Sequence, residues 1–248
     1  MGQYLSSNDE DAVVKETPNL TSNIRDEDAV VKETPTSTSN IRVVCISDTH
    51  GDHENEALDM PEGDLLIHAG DFTSFSKLEQ AVRFNEWLGE VKLSKGFQHI
   101  VVINGNHESN ADWKQRTPEI LSNATAFLKD DQVKVSVEGK GSLTIHGTQF
   151  YWPMQTPNPH YDLIGSDVDV LVCHGPCKGL VDGGSGCKML RKKALELPKL
   201  QLCVSGHIHG AYGVVKEGEK TFVNAANCGS GRKITKPAIE VEVVGRKA

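Results

Sequence analysis

Arg42-Val43-Val44-Cys45-Ile46-Ser47-Asp48-Thr49-His50 is a short β-branched run that stops on a carboxylate and an imidazole. Such a run is too short for a core helix and fits a buried strand, with turn residues marking its carboxyl end. The pattern recurs four times. Asp64 to His68 leads into Gly70-Asp71, and His99 to Ile103 into Gly105-Asn106-His107-Glu108. Asp169 to Cys173 leads into His174-Gly175, and Leu202 to Ser205 into Gly206-His207-Ile208-His209. Helices are predicted between them. Ser76 and Glu79 read as a capping box ahead of Leu78, Ala81, Phe84, Leu88 and Val91 on one face. Thr117-Pro118-Glu119 starts a second helix and Lys188 to Leu197 forms a third. Alternating strand and helix implies βαβ units and an α/β fold. In open α/β sheets ligands bind beyond the carboxyl ends of the strands, so all five motifs are expected to meet at one edge. Segments near 133–137, 142–152, 212–216, 221–224 and 238–244 read as strands with little helix between them, which suggests a second sheet packed on the first.

Taken singly, each motif is ordinary: a D-x-H loop is usually a turn, and two nearby histidines are usually half-exposed. Five in order, each closing a strand, carry the argument. Carboxylates, imidazoles and a side-chain carbonyl, with no thiolate, favour manganese, iron or zinc over a purely soft-metal site. In a two-metal site with ions about 3.5–4 Å apart, a shared water loses a proton near neutral pH and attacks phosphorus in line.

The motif set resembles the calcineurin-like metallophosphoesterase family. The resemblance implies a four-layer α/β/β/α sandwich of two packed sheets flanked by helices. It implies that Asp48, His50 and His209 hold one divalent ion, that Asn106, His174 and His207 hold the second, and that Asp71 bridges them. It gives His107 and Asn106 contact with the substrate phosphate. His107 would stabilise or protonate the leaving oxygen, and Glu108 would orient or tune that imidazole. Met60-Pro61-Glu62-Gly63-Asp64, His68 to Thr73, Phe84 to Gly89, Tyr151-Trp152-Pro153 and Gly206 to Gly213 are similar to the small metallophosphoesterase-domain-containing, class III phosphodiesterase-like branch. The likeness covers roughly residues 42–230 and implies a manganese-favouring phosphodiesterase with a nucleotide-like substrate, acting through a metal-bridging hydroxide. Phe72-Thr73 after Asp71 and Asn104 before GNHE depart from the serine/threonine protein phosphatases, which place a phosphate-gripping arginine where Asn104 stands. No tyrosine closely follows Asp71, so the iron-tyrosinate centre of purple acid phosphatases is not expected. Two readings compete: a phosphomonoesterase with the same site, and a non-catalytic scaffold on the same fold. A scaffold would have lost ligands or the phosphate-contacting histidine, and this chain keeps each of them.

Weaker candidates remain. Gly183-Gly184-Ser185-Gly186-Cys187 approaches a nucleophile elbow but ends in cysteine and follows no strand, so it reads as a loop that, with Lys178 and Lys188, is a candidate phosphate contact. Cys173 and Cys177 flank His174 and raise a separate zinc site against the plainer reading of two buried thiols. Of His53, His68, His99, His146 and His160, only His160 is a plausible substrate contact.

The chain has 248 residues and a formal charge of −8. Residues 1–40 hold eight acids against three bases, a net −5, leaving −3 for residues 41–248, the metallophosphoesterase domain. Neither part has the basic footprint that binding a nucleic-acid polymer needs. The acidic tail repeats DEDAVVKETP at 9–18 and 26–35 and TSNIR at 21–25 and 38–42, a 17-residue unit too polar to bury a face, and is read as disordered. Six cysteines without paired spacing, no apolar stretch of membrane-spanning length and no hydrophobic signal region lead to the expectation of a reduced, soluble, cytoplasmic protein. Met1-Gly2-Gln3-Tyr4-Leu5-Ser6 fits a myristoylation pattern at Gly2, and one such chain gives at most weak, reversible membrane contact.

Overall fold

A run such as Val43-Val44-Cys45-Ile46 has no polar face to give to water, so it must be covered on both sides. The computed structural model describes residues 40–154 and 156–247, and within it the predicted runs form the centres of two sheets. The 1–40 tail, its repeat and Gly2 fall outside the described residues, apart from Asn40.

The first sheet holds β1 (Asn40–Ile46), β2 (Leu65–His68), β3 (His99–Ile103) and β4 (Ala126–Leu128) in parallel. The second holds β5 (Asp131–Val137), β6 (Gly141–Gly147), β7 (Val170–Val172), β8 (Leu202–Ser205), β9 (Gly213–Glu217) and β10 (Lys220–Asn224). The last strand, β11 (Ile239–Val244), lies antiparallel to β1. The orders are β11-β1-β2-β3-β4 and β5-β6-β7-β8-β10-β9.

The period of two along each strand divides the core. Ile41, Val43, Cys45, Leu65, Ile67, Val101 and Ile103 pack between the sheets against Leu143, Ile145, Val170, Val172, Leu202 and Val204. Val44, Ile46, Leu66, Ile100 and Val102 point outward to α1 (Leu78–Ser94), meeting Phe84, Trp87, Leu88 and Val91. Leu171, Cys173, Cys203 and Phe222 meet Leu190 and Ala194 of α4 (Lys188–Glu196) on the far face. The layers are therefore α/β/β/α. Two single-turn helices, α2 (Asn106–Ser109) and α3 (Thr117–Ile120), follow β3.

Three expectations need correction, and one strand has no expectation behind it. The sequence groups the C-terminal run with the second sheet, but β11 completes the first by pairing with β1 from Asn40↔Val244 to Cys45↔Ile239. The strands before His174 and Gly206 belong to the second sheet, so the motifs rise from both sheets. β4 has no expectation to match it; three residues carry too little periodicity to read. The Ser76 capping box does not form: α1 begins at Leu78 with Lys77 as an N-cap that makes no side-chain cap, and Ser76 Oγ bonds the His107 carbonyl instead. A tertiary acceptor has outcompeted the local one.

All six cysteines are free and buried, and no helix among the described residues is long and apolar enough to cross a membrane. Phe84 is fully buried and stacks on Phe72, with ring centroids 4.8 Å apart and 12° between planes. Phe84→Ala should cost about 3–5 kcal/mol of stability, the usual result of emptying an aromatic core position. Urea unfolding checks this, and a loss below about 1 kcal/mol would contradict the assigned packing.

Candidate metal centre

The chain must turn sharply where β1, β2 and β8 end, and it does so through residues in the left-handed region: Asp48 (φ 56°), His50 (46°), Asp71 (57°) and His207 (65°). Each such residue costs about 1–3 kcal/mol and persists only where its surroundings over-determine it. Close approach does the same at two glycines. A Cβ on Gly105 would lie 2.2 Å from Asp71 Oδ1, and one on Gly206 would lie 2.2 Å from Asp48 Oδ2.

These turns bring the motif side chains together. His209 Nε2 lies 3.1 Å from Asp48 Oδ1 and 3.4 Å from His50 Nε2. His174 Nε2 lies 3.3 Å from Asp71 Oδ2 and 3.1 Å from Asn106 Oδ1, and His207 Nδ1 is 2.9 Å from that same oxygen. Donor atoms of Asp48, His50 and His209 fall within 4.8 Å of one another, as do those of Asp71, His174 and His207. A third set of the same size, His50, Asp71 and His107, shares one member with each.

The donor set fits divalent ions. His50 Nδ1 is 3.0 Å from the Thr73 carbonyl and His174 Nδ1 is 2.7 Å from the Ala69 carbonyl, so both Nδ1–H groups donate outward and both Nε2 atoms face the centre. Burial raises the Asp48 and Asp71 carboxyls, but the neighbouring charges and hydrogen bonds together outweigh it, those of His174 and His209 at Asp48 and of His174 and His107 at Asp71, and both are held below the usual carboxylate range. Burial depresses His174, yet the Asp71 and Asp48 carboxylates bring it up to about 10. Burial lowers His50, and burial followed by the His174 charge lowers His207 to about 4. The two carboxylates therefore favour the protonated form of His174.

Several supporting contacts are invisible to the sequence. Glu108, which the resemblance assigns to orient the His107 imidazole, is fully buried and directs its hydrogen bonds elsewhere. It accepts instead from Asp71 N–H (2.9 Å), Gly105 N–H (2.9 Å), Thr73 N–H (2.8 Å) and Thr73 Oγ1 (2.6 Å). Burial and then the Asp71 charge push Glu108 up to about 7 against those donors. His68 accepts from Gly70 N–H at Nδ1 (3.2 Å), so its Nε2–H donates to Thr49 Oγ1 (3.0 Å), tying the first two motifs together. Lys236 donates to the carbonyls of His209, Ala226 and Cys228 and so holds the His209 turn. Its distance from the motifs in sequence leaves no local signal. The His107 ring itself takes a hydrogen bond from Phe75 N–H at Nδ1 (2.6 Å), and its Nε2 lies 3.9 Å from Asp71 Oδ2.

The weaker candidates fall elsewhere. His160 Nδ1 pairs with Asp130 at 3.1 Å and its ring stacks on Tyr151. Lys178 bonds the Gly184 carbonyl within its own loop, although Gly183 packs near Ile208 and Ala211; Lys188 lies exposed at the start of α4. Cys173 Sγ sits 3.8 Å from Cys203 Sγ in the far core, and no cysteine joins a metal-sized group among the described residues.

Residues 41–211 match the Metallophos family, described as calcineurin-like phosphoesterase. The chain belongs to the calcineurin-like phosphoesterase family. It is 31% identical over 239 residues to human metallophosphoesterase domain-containing protein 1, covering 82% of this chain and 71% of that protein. A UPF0046 protein of Caenorhabditis elegans is 32% identical over 222 residues, covering 80% and 74%. One solved crystal structure, 12% identical, superposes with a TM-score of 0.54 over 76% of this chain and 91% of its own, which shows a shared fold. Family membership supports metal-dependent phosphoester hydrolysis.

Metal uptake at pH 7 should release about one proton, because His174 must give up its charge to coordinate while the two aspartates are already ionised. Affinity should accordingly rise with pH across the neutral range. Manganese calorimetry in two buffers of different ionisation heat measures this, and identical heats would refute it. Asp71→Asn should lose metal from both positions, read by elemental analysis after desalting; two retained ions would contradict a shared role.

Proposed function

We propose that this protein is a two-metal phosphodiesterase acting on a small, nucleotide-like diester. Asp48, His50 and His209 would hold one ion, Asn106, His174 and His207 the other, and Asp71 both. When bound, the ions supply Lewis acidity and a nucleophile available at neutral pH; the donor set accepts manganese, iron or zinc, with manganese favoured.

The observation that carries the reading is the state of His107. Because Phe75 N–H donates to Nδ1, the neutral imidazole must carry its proton on Nε2, the nitrogen nearer Asp71. Burial lowers its pKa, which keeps the ring in that neutral form. A single N–H aimed at the ligand cluster suits a donor to a phosphoryl or leaving oxygen. Asn106, which begins the same helical turn, would share the phosphate.

The choice of a diester rests on charge. The cavity beside His107 is lined by Phe75, Ser76, Asn106, His107 and Asn110, and its one neighbouring cation among these contacts, Arg232, stands over the Phe75 ring. Asn104 occupies the position where the protein phosphatases have an arginine. A singly charged diester needs less compensation than a doubly charged monoester.

Chelator-stripped protein assayed with bis-p-nitrophenyl phosphate and p-nitrophenyl phosphate tests this. Manganese-dependent preference for the diester is expected. Preference for the monoester would favour a phosphatase, and no turnover with manganese, iron or zinc would favour a scaffold. His107→Ala should lower kcat about 10²–10⁴-fold, the range for losing a positioned proton donor, with metal content unchanged. Wild-type turnover in that variant would refute the assignment.

A further inference from the structure

The turn between β2 and α1 carries Phe75, whose side chain is 66% exposed beside the metal centre. Exposure alone does not mark it, since Leu93 in the last turn of α1 is more exposed still. Its setting does. Phe75 N–H bonds His107 Nδ1, and Ser76 Oγ bonds the His107 carbonyl at 2.5 Å. The Trp113 indole donates to the Ser76 carbonyl at 2.7 Å, and Ser74 N–H donates to the Gln80 side chain at 2.6 Å. Phe75 and Ser76 both take left-handed backbone (φ 54° and 61°), which L residues adopt only where their surroundings force it. A rigid, strained turn therefore presents an aromatic ring to solvent.

That ring has two partners of different kinds. Its centroid lies 5.5 Å from the His107 ring. The Arg232 guanidinium carbon lies 4.0 Å from the same centroid, brought from the far end of the sequence on a residue that is itself left-handed (φ 57°). Phe75 also lines the open cavity of about 320 Å³ that contains His107 and Asn106. An arene and a guanidinium, both planar and in cation–π contact, together make a surface on which a third planar group can stack. Nucleobases stack on aromatic rings without needing a hydrogen-bond code.

Building on the phosphodiesterase reading, we propose that Phe75 and Arg232 form a stacking platform that recognises the base of a nucleotide ester whose phosphate lies at His107 and Asn106. The platform gives the site its preference for a nucleoside over a small alkyl group. Arg232 serves as a planar cation, so lysine would not replace it.

Two p-nitrophenyl diesters with the same leaving group isolate this role: thymidine 5′-p-nitrophenyl phosphate and methyl p-nitrophenyl phosphate. Manganese-loaded wild type should favour the nucleoside ester by about tenfold or more in kcat/KM, the order of one base–aromatic contact. Phe75→Ala, Arg232→Gln and Arg232→Lys should each abolish most of that ratio through KM, whereas Phe75→Trp should keep it. Arg232→Gln should lower kcat/KM for the nucleoside ester by more than it changes that of the methyl ester. Calorimetric binding of thymidine 5′-monophosphate, set against inorganic phosphate, gives a readout independent of turnover. The variants should weaken nucleotide binding about tenfold and leave phosphate binding alone. Equal losses for nucleotide and phosphate, or an unchanged ratio, would overturn the platform. Hydrolysis of the methyl ester with an unchanged nucleoside preference in the variants would sink the platform and leave the phosphodiesterase reading standing. Selective loss of nucleotide binding in a protein that cleaves neither diester would do the reverse.

Discussion

A carboxylate removed from water has to find its hydrogen bonds within the chain, and Glu108 finds four, from Gly105, Asp71 and both donors of Thr73. This one side chain ties the loop after β2 to the loop after β3. Its four donors offset part of the cost of burying that carboxyl, and in exchange three backbone positions are fixed. One of them is Asp71, which shares one donor group with His174 and His207 and another with His50 and His107. The backbone N–H of His107 in turn bonds Asp71 Oδ1 at 2.9 Å, so the His107 backbone and the Asp71 carboxylate are set by the same small network.

The electrostatics of the centre follow from crowding. Two ionised aspartates are buried within reach of several imidazoles, and His174 takes up the positive charge they demand. Divalent ions would replace that charge, and the outward Nδ1 contacts of His50 and His174 already turn their Nε2 atoms toward the centre. Little reorganisation is left for metal binding to drive. The left-handed turns at Asp48, His50, Asp71 and His207 are the conformational cost of that preorganisation, carried by strands buried on both faces.

The same rigidity extends outward. Phe75 is held through its backbone by His107, so the residue that fixes the imidazole tautomer also carries the exposed ring. The orientation of the His107 ring and the placement of the Phe75 ring are thereby coupled by geometry. Lys236 has a comparable position on the other side, bonding the carbonyl of His209 from a segment close to β11.

Read alone, the chain reveals every strand but β4, the order of the five motifs and the residue types of the candidate ligand groups, because buried runs, turn residues and metal-ligand chemistry are local properties. The fold gathers Asp48, His50, Asp71, Asn106, His174, His207 and His209, while the run expected at 142–152 ends as a strand at Gly147. Only the tertiary structure decided which sheet each strand joined, that β11 pairs with β1, and that Ser76 leaves α1 uncapped to bond His107. It also decided that Glu108 holds backbone instead of the imidazole, that His68 braces two motifs, and that Arg232 reaches Phe75. The physical reason is distance along the chain: a period of two says which face a side chain takes but not which strand lies beside it. The contacts of Ala69 with His174 and of Asp48 with His209 span more than a hundred residues, so no local preference encodes them and packing alone selects them.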